Sequence, residues 1–291
     1  MNRGEVQAAC ASRRAQQLQL QLQLQQEKLL VDRLRTTAHR IDAFDLEDEE
    51  CAVNTKRAHM VSKGYIKGWA DTKGIVEVID IQGRRGLRQA IGNATVVNYV
   101  YEPAVLTSDL EAAHGQIESD GLPVIVKLRN GGATLTSADV VAMIAFIDMH
   151  LDRGRYADQA KVRTPAVLVK TGMQLEDAGL SLGDRLLLSQ SLPDALRLAT
   201  LALMRWPWRV VQTQGLPTGD GAVLLWGRTK GAKICTVTFP MSPTRLLVIG
   251  EELPDGVPLL SRLTANCKRW IIGAPGTLNL NWADNGRDAT T

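Results

Sequence analysis

Three stretches of the sequence carry residues of the right type and spacing for chemistry. Gly179-Leu180-Ser181-Leu182-Gly183 has the Gly-x-Ser-x-Gly spacing in which a sharp strand-to-helix turn lifts a serine hydroxyl toward a substrate carbonyl. In that arrangement a histidine follows the serine in the chain, whereas His39, His59, His114 and His150 all precede Ser181. Glu176 and Asp177 just before it are not strand formers, so an ordinary loop is expected there. The run from Gly227 to Lys233 has the glycines and lysines of a phosphate cradle, but neither its spacing nor its terminal hydroxyl, and a hairpin turn suits it better. Asp148 and Asp152 stand four residues apart, which on a helix puts two carboxylates on one face where they could share a divalent ion. Arg153 and Arg155 are near enough to neutralise both, and ion pairing is the plainer expectation. The zinc-protease and dinucleotide fingerprints are absent.

These groups must be positioned by a chain of 291 residues, 45% of them hydrophobic, which is enough for one large core or two smaller ones. Basic residues number 34 against 31 acidic, a net +3, so a large uniform positive field is not implied, while local basic patches remain open. Cys10, Cys51, Cys235 and Cys267 are widely spaced, without a metal-binding pair or a disulfide framework, and free thiols in a cytoplasmic protein are expected. No uninterrupted apolar stretch opens the chain, so neither export nor a membrane partner is expected.

Residues 1–54 divide into a Gln- and Leu-rich stretch and an acidic linker. Leu18, Leu20, Leu22 and Leu24 alternate, but helix-favouring Gln, Leu, Glu, Lys and Arg dominate and predict an exposed helix, with residues 13–36 available to a protein partner or to self-association. Asp42, Asp45 and Glu47 through Glu50 repel one another and mark the linker. A single α+β domain is expected over residues 55–278, with a flexible tail over 279–291. Its opening is an N-terminal β-hairpin: a β-branched strand from Ile75 to Asp80 enters a turn at Gly83-Arg84-Arg85-Gly86, and a further strand covers 94–101. Ser108 and Glu111 form a capping box for a helix running toward Asp120, which Gly121 and Pro123 should interrupt before a short helix through Leu128. Central buried helices follow: one from Ser137 to Tyr156, apolar nearly all round, and one capped by Ser191 and stopping before Pro207. The remainder reads as C-terminal antiparallel strands near Trp208–Thr213, Ala222–Trp226, Ile234–Phe239, Arg245–Ile249 and Arg269–Ile272.

From His59 the chain reads His-Met-Val-Ser-Lys-Gly-Tyr-Ile-Lys-Gly-Trp-Ala-Asp, followed by Gly74 and a strand ending at Asp80. This resembles the opening of the prokaryotic domain of unknown function 4238 family, whose "HYVP.. YL..FAD..G.V.VYD" pattern has the same spacing; Met60 and Ser62 stand where the family has Tyr and Pro. In family order come Leu110, Glu111 and Glu118, similar to an "LE..L...E" helix; His150 to Arg153; Trp208; Pro217 to Ala222, similar to "TSDNPV"; Phe239 to Pro243, similar to "PLSP"; and Asn266. The resemblance covers roughly residues 56–275. It implies a setting among mobile elements and phage defence, with a nuclease or another enzyme acting on nucleic acid or nucleotides as the expected class. The basic runs Lys56-Arg57 and Arg84-Arg85-Arg88 suit such a partner.

On these motif positions, His59 and Asp220 form the candidate catalytic pair, as base and orienter or as ligands of a magnesium or manganese ion, with Arg153 holding a phosphate through a two-pronged contact. The competing expectation gives all three structural roles: His59 bridging a strand, Asp220 closing a turn and Arg153 paired with Asp152. In that case the chain is a non-enzymatic sensor or protein-binding module. Tyr65, Trp69 and Trp208 read as core aromatics.

Overall fold

The structure is a computed structural model and describes residues 57–98, 110–131, 134–169, 174–191, 197–229 and 231–279. Of the two units into which the chain divides, 1–52 and 53–291, the described residues all belong to the second. The expected N-terminal helix, the acidic linker, Ser108 and nearly all of the C-terminal tail lie outside them.

The fold is mixed helix and sheet, with five helices and twelve strands among the described residues, and every strand pair is antiparallel. β1 (Arg57–His59) pairs with β4 (Val96–Asn98), and between them lie α1 (Lys63–Ile66), β2 (Ile75–Asp80) and β3 (Arg85–Ala90). Two long helices follow, α2 (Leu110–Arg129) and α3 (Ser137–Arg155). Next come the hairpin β5 (Thr164–Val169) with β6 (Leu175–Leu180), then α4 (Leu182–Ser191). The last third holds β7 (Trp208–Gln212), β8 (Thr218–Gly219), β9 (Leu224–Gly227), β10 (Ile234–Ser242), β11 (Arg245–Gly250), α5 (Leu259–Asn266) and β12 (Trp270–Gly273). One four-stranded sheet has the order β7-β11-β10-β9 and the other β3-β2-β12-β8, so the last strand returns to lie beside the opening hairpin.

The core is apolar and aromatic. Tyr65 lies in its middle, stacked on Phe239 with ring centroids 4.7 Å apart and meeting Trp69, His150 and Phe146 edge-on. A hydroxyl so buried needs partners: Tyr65 donates to the Pro240 carbonyl at 2.7 Å and lies 2.6 Å from the Thr218 hydroxyl, while Trp69 Nε1 donates to the Leu216 carbonyl at 2.7 Å. These bonds tie the opening segment to the last third, as core aromatics with polar handles should. Trp208 is only half-buried.

Several elements differ from the sequence expectations. Gly121 and Pro123 do not break α2, which runs on as one helix. Phe146 of α3 presses so close to Gly121 that a Cβ there would stand 2.7 Å from the Phe146 Cβ, and burial of this helix pair outweighs the propensity penalties. The stretch 85–90 is a full strand rather than the exit of a turn; its exposed Arg and Gln suit a sheet edge. Glu176 and Asp177 lie within β6. The expected helix before Pro207 appears, among the described residues, only as two 3₁₀ turns, Leu198–Leu201 and Leu203–Arg205, separated by Ala202 in the left-handed region at φ 52°. The short helices α4 and α5 were hidden in loop-like and β-like sequence. By contrast α3 begins and ends within a residue of its expected bounds, with Thr136 and Asp139 closing a reciprocal capping box.

Candidate functional site

The polar residues singled out in the sequence gather along one seam where α1, α2 and α3 meet the turn after β8. Glu118 on α2 is its hub. Arg153 of α3 donates to Glu118 Oε1 at 2.7 Å and the Ser62 hydroxyl donates to Oε2 at 2.9 Å. The Arg153 side chain is 4% exposed and that of Glu118 25%, so the pair sits just below the surface. Arg153 Nε also donates to Nδ1 of His114, at 3.3 Å. His114 and Glu118 are four residues apart on α2 and therefore share the face that meets Arg153. Accepting at Nδ1 requires the neutral imidazole, and burial together with the Arg153 charge holds the His114 pKa well below its usual value.

His59 lies at the end of β1, close enough to Glu118 to feel its charge. Burial lowers the pKa of His59, against the opposing pull of the Ile91 carbonyl and Glu118, and its buried Nε2 has no hydrogen-bond partner. That nitrogen is a buried atom of the seam with unspent hydrogen-bonding capacity. Ser62, His114 and Glu118 were not in the expected catalytic set. The i, i+4 spacing of His114 and Glu118 was visible in the sequence, but nothing local paired it with Arg153.

Asp220 has a different environment. It is buried, and its carboxylate accepts from the backbone N–H groups of Lys268 at 2.7 Å, Trp270 at 2.6 Å and Arg269 at 3.3 Å. Burial lifts its pKa to about 6 even though the amides favour the charged form. The carboxylate therefore organises the entry to β12, and its hydrogen bonds go to that backbone rather than to His59 or Arg153. The polypeptide around it is packed to the limit of contact. A Cβ on Gly154 would stand 2.0 Å from the Asp220 carbonyl oxygen, and one on Gly221 2.2 Å from that of Asn266. Asn266 Nδ2 donates to the Gly221 and Val223 carbonyls, and His150 Nε2 donates to the Gly219 carbonyl at 2.9 Å, fixing a neutral tautomer with pKa lowered to about 4 by burial.

The remaining candidates are committed elsewhere. Asp152 pairs with Arg155 at 2.6 Å and with Arg197, and Asp148 accepts from the Leu198 amide at 2.8 Å and feels the charges of the same two arginines, which take the place of a shared metal ion. Ser181 does stand between a strand and a helix, yet its buried hydroxyl donates to Asp184 and accepts from the Asp184 amide, the reciprocal bonds of a helix cap. Burial raises the Cys267 thiol well above its usual pKa, so it is a poor nucleophile, and Cys235 donates weakly to the Trp226 carbonyl. Among the described residues, no group of three or more His, Cys, Asp or Glu side chains is placed to hold a metal ion. An open groove of 840 Å³ lies away from the seam, lined by Glu77, Arg88 and Gly276 through Asn279. Glu77 there already accepts from the Gly276 and Leu278 amides. No described helix is long and apolar enough to cross a membrane.

The geometry thus brings His59, Ser62, Glu118 and Arg153 to one place and gives Asp220 a structural task. Compared with known proteins, the chain matches no family model, no curated protein and no solved structure.

Proposed function

We propose that this chain is a non-enzymatic binding module. One observation carries the reading: the two charged groups that catalysis at the seam would need are already spent. The Asp220 carboxylate is held by three amides, and Arg153 by Glu118 and His114. A phosphate approaching the buried Arg153 would have to displace the half-buried Glu118 carboxylate, breaking an ion pair at a cost of about 1 kcal/mol or more. The seam then serves to lock α1, α2, α3 and the β8 turn into a scaffold. The same proposal takes the chain as a divergent relative of the domain of unknown function 4238 proteins, acting in the cytoplasm. Its support is that the segments carrying that resemblance, far apart in sequence, pack against one another at Ser62, Glu118, Arg153, Gly219 and Asn266.

A second reading, an enzyme acting on nucleic acid or nucleotides, rests on the unpartnered Nε2 of His59 beside Glu118, which is available as a proton acceptor. Incubating the purified chain with RNA, DNA and nucleotides, each with magnesium or manganese, separates the two. The module reading expects no turnover. Turnover that disappears in His59→Ala would replace it with the enzymatic one.

A further inference from the structure

A cluster of cations at the opposite end of β12 from Gly273 turns its side chains away from the seam, although the amides of Lys268 and Arg269 hold Asp220. The hairpin turn between β2 and β3 carries Arg84, held at φ 46°, and Arg85, both exposed. β12 enters the sheet beside this turn, because Trp270 pairs with Asp80 and the Ile81 amide donates to the Arg269 carbonyl at 2.8 Å. Lys268 and Arg269 therefore arrive next to Arg84 and Arg85. Lys268 Nζ reaches the carbonyl of Arg155, adding the end of α3 to the same corner, and Gln82 donates to the Asp158 carbonyl to hold the turn against it.

The charges here are sorted by depth. The carboxylates lie inward: Asp80 is 16% exposed, bonds its own turn and stands 3.5 Å from one nitrogen of Arg85, whose side chain remains 63% exposed; Asp152 is buried between Arg155 and Arg197, Asp158 is half-buried and Asp220 is buried under the 268–270 amides. The cations lie outward. Among the described residues, no salt bridge is recorded for Arg84, Lys268 or Arg269. Arg269 is held by stacking, its guanidinium carbon 4.2 Å from the centre of the Trp270 ring, and its buried Nε has no acceptor. Asp80 and Asp220 lie near enough to oppose the Arg269 charge, so the outward charge of the corner is carried by Arg84, Arg85 and Lys268, with Arg269 beneath them.

We propose that this corner binds the phosphate backbone of double-stranded nucleic acid without reading its sequence, which names the partner class of the binding module proposed above. Cations spread over a hairpin turn and a strand entry, on a backbone fixed by sheet pairing, fit a row of phosphates. A single strand fits less well, since Trp270 is buried under Arg269 and Tyr156 lies beneath Arg185, leaving no aromatic platform here for bases. A membrane surface fits less well again, because the exposed apolar side chain nearest this corner among the described residues is a single valine, Val162, and not the apolar face that insertion needs.

Fluorescence anisotropy of a labelled duplex of about 20 base pairs, titrated with the full chain at about 50 mM salt, tests the assignment. The triple variant Arg84→Gln/Arg85→Gln/Lys268→Gln is expected to bind about tenfold more weakly or worse, and to lower the log–log salt slope by about 3. Its thermal midpoint should match the parent, and Arg209→Gln/Arg228→Gln, which removes cations already paired with Glu252 and Glu251, should bind as the parent does. Unchanged affinity in the triple variant overturns the proposal, as does equal loss in the control variant or binding to phosphatidylserine vesicles but not to duplex. Parallel duplex DNA and duplex RNA arms identify the source of the phosphates. Cleavage of a bound duplex with triple-variant dependence would uphold the corner while overturning the module reading; no duplex binding by the parent chain, with no cleavage anywhere, would overturn the corner and leave the module reading standing.

Discussion

The seam and the basic corner use the same side-chain chemistry to opposite ends. Along the seam each charge faces a partner at hydrogen-bond distance in a poorly hydrated setting, Arg153 against Glu118 and Asp220 against three amides. At the corner the carboxylates are drawn inward and Arg84, Arg85 and Lys268 are left facing water. Buried charges are tolerated only when matched, so the seam holds the fold together, whereas solvated cations cost little unpaired and remain available to a ligand. The difference teaches that an Arg or Asp at a motif position says little about function until its partners are known.

The largest effect that would sharpen this contrast is expected from Gly154→Val. With the Asp220 carbonyl 2.0 Å from where a Cβ would stand, α3 must move off the β8 turn. Chemical denaturation should show a loss of about 3 kcal/mol or more, or failure to fold. Next is Arg153→Met, which strands Glu118 and deprives His114 of its donor; about 3 kcal/mol is expected in a urea titration. Adding Glu118→Gln should recover part of that loss, and a fully additive double variant would break the idea that the pair is a matched unit.

Asp220→Asn comes third. One of its two side-chain acceptors becomes a donor facing backbone N–H groups, a cost of about 2 kcal/mol by the same measurement. Its pH dependence has a defined sign. The folded pKa of about 6 lies above the usual carboxylate value, so the stability this proton contributes is fully present at low pH and lost as pH rises through 6. His150 acts oppositely: its folded pKa of about 4 lies below the usual 6.5, so stability is lost as pH falls from 6.5 toward 4, by about 3 kcal/mol in full. His114 adds to the loss on acidification, being lowered as well. Thermal melts between pH 7 and 4 should therefore fall toward acid in the parent, more shallowly in His150→Gln and more steeply in Asp220→Asn. The smallest effect is expected at Leu175, 70% exposed on the β5–β6 hairpin. Leu175→Thr should change stability by less than about 0.5 kcal/mol, and a larger loss would mean that the apolar face is covered in the folded chain.

Much of the scaffold was legible in the sequence. The capped, apolar stretch of α3 and the β-branched runs of β2, β10, β11 and β12 announce themselves because cap chemistry and side-chain period are local properties. The edge strand β3 was not legible, since an exposed edge needs no apolar alternation, and neither was the continuity of α2, which depends on Phe146 arriving from another helix. At the site, the sequence pairs His59 with Asp220, whereas in the fold Arg153 bonds Glu118, His59 feels the charge of Glu118, and Asp220 is held by the amides of 268–270.

By itself the sequence determined the α+β class, the two charge-rich positions on α3 and the arginines of the first hairpin turn, because each follows from composition or from neighbours a few residues away. Tertiary structure alone decided which charges are cancelled. It placed Glu118 against Arg153, gave Asp220 to the amides of 268–270, and set Lys268 and Arg269 beside Arg84 and Arg85. Those outcomes depend on which strands pair and how closely helices approach, and electrostatic interactions at a few ångströms have no counterpart in sequence distance.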